Sequence, residues 1–214
     1  MSCPICEKRA SKRFCPAKGE KICAVCCGQE REITIDCPQS CFHLIVAHRY
    51  ESGHRRPVAA QDVPHPDVQF SVEFVYERWA IVSGLAGAIL AFQSQNRELN
   101  DVELIAAIEA LAETFRTLET GIIYERPPEA SIPRRLYAEL AALLQAWRKE
   151  EAERSALPSL KDSDIFRLLV FLLRLGKQEG NGRPRSRAFL DFLRAKFPLP
   201  AGIDAQETSR IIVP

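Results

Sequence analysis

All eight cysteines of the 214-residue chain fall between positions 3 and 41. They read Cys3-Pro-Ile-Cys6, Cys15, Cys23-Ala-Val-Cys26-Cys27 and Cys37-Pro-Gln-Ser-Cys41, and the four histidines, His43, His48, His54 and His65, follow directly. Thiols at this density can ligate metal, pair as disulfides or shuttle electrons. The spacing favours metal. Zn2+ takes four soft or borderline ligands in a tetrahedron, and a C-x-x-C turn supplies two of them from one tight loop. Pro4 restricts the backbone inside the first such turn, and Cys23-Ala-Val-Cys26 repeats the spacing without it. A thioredoxin-type redox role needs a surrounding βαβ pattern, and none is legible. A catalytic zinc needs an open coordination position with a carboxylate base nearby. Asp36 is the only acidic residue close to the late cysteine pair.

If Cys3 and Cys6 join Cys23 and Cys26 in one site, Cys15 lies inside the loop they close. It must then join ligands beyond that loop, with Cys37 and Cys41. This is a cross-brace, two interleaved sites that hold at two points a segment too short to build a core. Eight thiolates fill two sites, and adjacent residues in an extended segment point opposite ways. Cys27 is therefore the expected eighth ligand, with His43 or His48 as its substitute. One zinc with spare thiols is the competing arrangement. His54 and His65 sit in a Gly/Pro-rich stretch and are expected to be solvent-exposed.

Three features together, Cys3-x2-Cys6-x8-Cys15, Phe14 before Cys15, and Ile22-Cys23-x2-Cys26, resemble the B-box zinc fingers of tripartite-motif proteins and, almost as closely, HIT-type fingers. The resemblance covers residues 3 to 43. It implies a module that works through protein contacts rather than catalysis. Those families place a Cys or Asp three positions after the equivalent of Cys15, where this chain has Lys18. An ammonium cannot ligate zinc at neutral pH, so the missing ligand must come from Cys27, His43 or His48.

The rest of the composition bounds the setting. Lys plus Arg (29) nearly balances Asp plus Glu (28), so net charge names no partner. Cys3, Cys6, Glu7, Lys8 and Arg9 stand where a signal peptide needs an apolar run. The longest uncharged apolar stretch, Trp79 to Phe92, has 14 residues, against about 20 for a bilayer span. A soluble protein of the reducing cytoplasm with no membrane partner is expected, which again favours metal over disulfides.

Behind the finger the pattern turns helical. The chain divides into a finger over 1–50, a linker or strap over 51–67, a helical domain over 68–198 and a loose tail over 199–214. The fold class is mostly α, a small zinc-stabilised module followed by an all-α bundle of about five helices. Phe42 to Tyr50 reads as a short helix closing the finger. Phe74, Val75, Trp79, Val82, Leu85, Ala86, Ile89 and Phe92 recur at helical spacing and predict one helix over about 68–96. Ser83, Gly84 and Gly87 within it predict close approach of another helix, or else a kink. Asn100-Asp-Val-Glu103 has the form of a capping box for a second helix ending near Gly121. Ser131-Ile-Pro133 opens the third. Pro158 interrupts before Asp162-Ser-Asp, an expected cap for a fourth helix over Ile165 to Leu175, which is apolar over most of its circumference, broken by Arg167 and Arg174, and so central. The fifth covers about 185–196 and ends at Pro198 and Pro200. The first and second helices, and the third and fourth, are expected to pair as hairpins.

Charge is uneven along the chain. Residues 1–56 hold ten Lys/Arg against six Asp/Glu, residues 67–130 four against eleven, and residues 174–196 seven against two. Arg183, Arg185 and Arg187 stand at the start of the fifth helix, where cations oppose the helix dipole. They either form an anion site with the helix N-terminus or pair with the acidic 67–130 helices. No nucleophile triad, phosphate-binding glycine loop or paired-carboxylate motif stands out. The expected function is thus non-enzymatic, a two-zinc protein holding a protein partner. The alternative is a nucleic-acid-associated regulator using the basic finger face and Arg183 to Arg187, whose binding would weaken steeply with salt.

Overall fold

The protein is described by a computed structural model covering residues 2–55, 57–119, 125–154 and 160–197. The expected stops at Gly121, Pro158, Pro198 and Pro200, and the tail over 199–214, lie outside the described residues. The fold is mostly α, with one two-stranded sheet among the described residues.

The N-terminal module, expected to be a finger, contains a hairpin, β1 (Arg13–Cys15) antiparallel to β2 (Glu20–Ile22), with Phe14 opposite Lys21. Gly19 turns it at φ 68°, a left-handed conformation open to glycine at little cost. Helix α1 (Ala24–Glu30) follows at once, and α2 (Phe42–Gly53) closes the module. The buried apolar side chains of this unit are Cys3, Cys15, Cys23, Cys26 and Cys37 with Ile22, Ile35 and Leu44 as the fully buried aliphatics. Three aliphatics do not make a core that holds some 50 residues together.

The strap from 54 to 70 carries a short 3-10 turn, Ala60–Asp62, and lies against the helices. Arg174 fastens it, donating from Nε to the Pro64 carbonyl at 3.0 Å and from Nη2 to the carbonyls of His65 and Val68. His65 therefore is not the exposed linker residue the composition predicts. It is 12% exposed, its ring edge meets Phe166, and its Nε2 lies 3.2 Å from Glu109. His54 is exposed, as expected.

The helical domain contains α3 (Val72–Glu77), α4 (Trp79–Gln95), α5 (Asp101–Glu119), α6 (Ser131–Arg154), α7 (Asp162–Glu179) and α8 (Ala188–Lys196). The single helix expected over 68–96 is thus two, broken at Arg78. Its guanidinium reaches Asp164 at 3.1 Å and stacks over Phe74, and that tertiary anchorage outweighs continuous periodicity. Ser71 caps α3 by accepting from Phe74 N at 3.2 Å. The capping box at α5 is formed, Glu103 N donating to Asn100 Oδ1 at 3.1 Å and Asn100 N to Glu103 Oε2 at 3.1 Å. The cap position of α7 is Lys161, not the Asp162 cluster, which lies in the first turn.

The helices do not pair in the order expected. Helix α5 packs between α6 and α7, while α4 packs on α6 and α8, so the expected α4/α5 and α6/α7 hairpins give way to an interlocked arrangement. Helix α7 is central, burying Ile165, Phe166, Leu168, Leu169, Leu172 and Leu173 among others. Close approach resolves the glycine question in α4. A Cβ on Gly84 would stand 2.5 Å from the Trp147 ring of α6.

Candidate metal centre

Two pieces of backbone place the four cysteines of the first set. Cys3 and Cys6 sit on the N-terminal turn, where Cys3 N donates to Arg9 O and Glu7 N to Cys3 O. Cys23 is the cap residue of α1, its Sγ accepting from Cys26 N at 3.3 Å, and Cys26 lies in the first turn of that helix. Cys3 Sγ accepts from Cys23 N at 3.2 Å, which stitches the two turns together. The ligand atoms of Cys3, Cys6, Cys23 and Cys26 all lie within 4.8 Å of one another. Cys6 Sγ and Cys23 Sγ are 3.9 Å apart. Zn–S bonds of about 2.3 Å in a tetrahedron put sulfurs about 3.8 Å apart, so the donor set fits a four-thiolate metal ion. No disulfide joins any of the eight cysteines.

The electrostatics prepare the same chemistry. Burial pushes the Cys3 thiol up, but N–H groups of Cys23, Cys6 and Ile5 outweigh it and bring its pKa down to about 6. Cys6 is lowered mainly by the Lys8 N–H, against burial. Cys26 is pushed up to about 12 by burial and by sharing its protons with Cys23, Cys6 and Cys3. Four sulfurs cannot all ionise at this distance without a cation among them. Arg9 stands beside the set, its own pKa raised first by a hydrogen bond to Cys23 and then by the Cys6, Cys23 and Cys26 charges.

The second set is arranged more loosely. Cys15 ends β1, Cys27 lies next to Cys26 on α1, Cys37 precedes a turn closed by Cys41 N donating to Pro38 O, and Cys41 is the cap residue of α2. All four, with His43, line one small cavity between the hairpin, α1 and α2. Among the described residues, this set has no three ligand atoms within 4.8 Å of one another. Cys27 and His43 line that cavity alike, so the geometry does not choose between them. Burial and the charges of Arg13 and Arg31 hold the His43 imidazole below its ordinary value, in the neutral form that can ligate. His48 is placed elsewhere. Its Nε2 meets both Glu32 oxygens at 3.0 Å and its Nδ1 faces Asp191 at 3.6 Å, so both ring nitrogens are engaged by carboxylates. Lys18 is exposed on the hairpin turn.

The three arginines do neither of the things expected in full. Arg183 pairs with Glu32 at 3.3 Å and Glu51 at 2.8 Å, and Arg187 with Asp36 at 2.7 Å. Their carboxylate partners thus come from the finger, not from the acidic 67–130 helices, which contribute only the Leu99 and Glu98 carbonyls to Arg187. Arg185 contributes its backbone N–H to Glu32 O at 2.9 Å. The dipole conflict at α8 is resolved by Asp101, whose carboxylate accepts from Phe189 N and Leu190 N at 3.0 and 3.2 Å. Burial raises that carboxyl to about 6 despite those two donors.

Sequence reasoning missed Glu32. It is 1% exposed, at φ 56°, and bonds His48 and Asn181 in addition to Arg183. No local signal marks it, because its partners on the helical domain are about 150 positions away. A second grouping, His65 with Glu109 and Glu113, also brings ligand atoms within 4.8 Å; its ion-paired geometry with half-exposed carboxylates accounts for the strap's attachment.

Comparisons with protein-family models, with curated proteins and with solved structures return no match. No helix among the described residues is long and apolar enough to cross a membrane.

Proposed function

We propose that this protein is a non-enzymatic zinc protein, a two-zinc cross-brace finger clamped to a helical domain, which acts by holding a protein partner. The observation that carries the reading is the Cys3, Cys6, Cys23, Cys26 set, four thiols at tetrahedral spacing in a module with almost no apolar core. A four-sulfur shell leaves no coordination position for a substrate, so the metal's work is to fold the module. The second ion is held by Cys15, Cys37 and Cys41 with Cys27 or His43. Eight free thiols suit a reducing compartment such as the cytoplasm.

Protein contact is supported by the finger's surface. Phe42 and Tyr50 of α2 are 70% and 65% exposed, with Ile45 and Val46 beside them on one face of the helix, and Phe14 is 57% exposed on the hairpin. A cluster of large apolar side chains on so small a module is a contact surface by default. The nucleic-acid reading loses support because Arg183 and Arg187 are occupied by finger carboxylates.

The test is affinity capture by the full-length zinc-loaded chain from nuclease-treated extract, in parallel with Phe42→Ala/Tyr50→Ala. A stoichiometric protein recovered by the first and lost by the second supports the reading. Recovery only of nucleic acid, abolished by salt, would replace it with the alternative.

A further inference from the structure

Between α2, the turn after α7 and α8 runs an open groove of about 890 Å3. Its apolar contacts are Leu44, Ile45 and Tyr50 from α2 and Phe192 from α8. Its walls also carry charge, and the charges are unequally occupied. Glu51 is paired with Arg183, Glu179 with Arg55, and Asp191 with Arg194. Arg49, Lys177 and Lys196 also line the groove, and among the described residues no carboxylate pairs with them. Among the described residues, the charged side chains of the groove left without an ion-pair partner are these three cations. One further group is unsatisfied, since Glu51 Oε2 is buried without a hydrogen-bond donor among the described residues.

We propose that this groove binds an acidic peptide segment of the partner, apolar side chains resting on Ile45, Tyr50 and Phe192 and carboxylates reaching Arg49, Lys177 and Lys196. The inference rests on the reading of this protein as a protein-binding module. Charge complementarity selects the occupant. Three unpaired cations around an apolar floor match carboxylates spaced by apolar anchors. A phosphate backbone would meet the same cations but brings no aliphatic side chains to rest on Ile45, Tyr50 and Phe192. Because α2 belongs to the finger and α7 and α8 to the helical domain, the site exists only while the two are docked. Zinc loading and peptide binding are thereby coupled.

The experiment is selection from a randomised 12-residue peptide library by the immobilised full-length, zinc-loaded protein. It is repeated with Arg49→Glu/Lys177→Glu/Lys196→Glu, all three being exposed positions, and with Tyr50→Ala as a charge-neutral second variant. A single-stranded oligouridine is assayed alongside. Expected is enrichment of Asp/Glu-rich peptides with regularly spaced Leu, Ile or Phe. Affinity for them should fall at least about tenfold in the triple variant and also in Tyr50→Ala. Selected peptides that are basic, or whose affinity neither variant changes, overturn the groove while leaving a protein-binding function in place elsewhere on the surface. No enriched peptide together with salt-sensitive oligouridine binding overturns both.

Discussion

Glu32 is the buried acid at the junction between the N-terminal module and the helices. Its carboxylate accepts from His48, Asn181 and Arg183, and its backbone oxygen accepts from Arg185. Desolvation of so buried a group raises its pKa, yet His48, Asn181 and Arg183 outweigh that and hold it below the usual value. Removing one partner of a buried charge network strands the others, at a cost of about 3–5 kcal/mol. Glu32→Ala is therefore expected to lower the unfolding free energy of the zinc-loaded protein by that amount in denaturant titrations. A change under about 0.5 kcal/mol would mean the network contributes nothing. His48 adds a pH dependence. Burial lowers its pKa, but Asp191 and Glu32 overcome this and raise it to about 9 from 6.5. A histidine raised on folding binds its proton more tightly in the native state. Its contribution, of order 3 kcal/mol, is full below pH 6.5 and lost progressively up to about 9. Thermal stability of the zinc-loaded protein should fall across that window, and His48→Gln should flatten the fall. The eighth ligand is decided at the same scale. Of Cys27→Ser and His43→Ala, one should halve the zinc content and the other leave it intact.

At the scale of elements, Gly84 decides between propensity and packing. Alanine in a helix interior is favoured over glycine by about 1 kcal/mol. The new methyl would stand 2.5 Å from the Trp147 ring, and overpacking costs about 1–3 kcal/mol. Gly84→Ala is expected to destabilise on balance, and Trp147→Ala in the same chain should turn it favourable; a double-mutant cycle measures the coupling. Much at this scale was legible. Periodicity placed the helices, Asn100 and Glu103 marked a real cap, and the apolar circumference of α7 marked the centre. What was not legible depends on contacts distant in sequence. The Arg78 break between α3 and α4 needs Asp164, the burial of His65 needs Phe166 and Arg174, and the partners of Arg183 and Arg187 lie in the finger. The cysteine quartet was legible because C-x-x-C turns are local devices. Glu32 was not, because an isolated acidic residue in a charged segment looks like any solvated one.

At the scale of the molecule, the finger is docked rather than merely tethered. Glu32, Asp36, Gln39, His48 and Glu51 on one side meet Asn181, Arg183, Arg187 and Asp191 on the other. Chelation is therefore expected to do two things. Most far-UV helicity should survive, since the helical domain has its own core. Its melting temperature should nevertheless drop, because the 9%-exposed Arg187 loses its Asp36 partner. An unchanged melting temperature would show the two units to be energetically independent.

The central claim is that metal holds the first 50 residues together, and the direct measurement is zinc per chain in the purified full-length protein. The account predicts two ions, falling to one in Cys23→Ser and to one in Cys37→Ser. A chain without metal, whose eight thiols all titrate freely, or two ions retained in both variants, would contradict it.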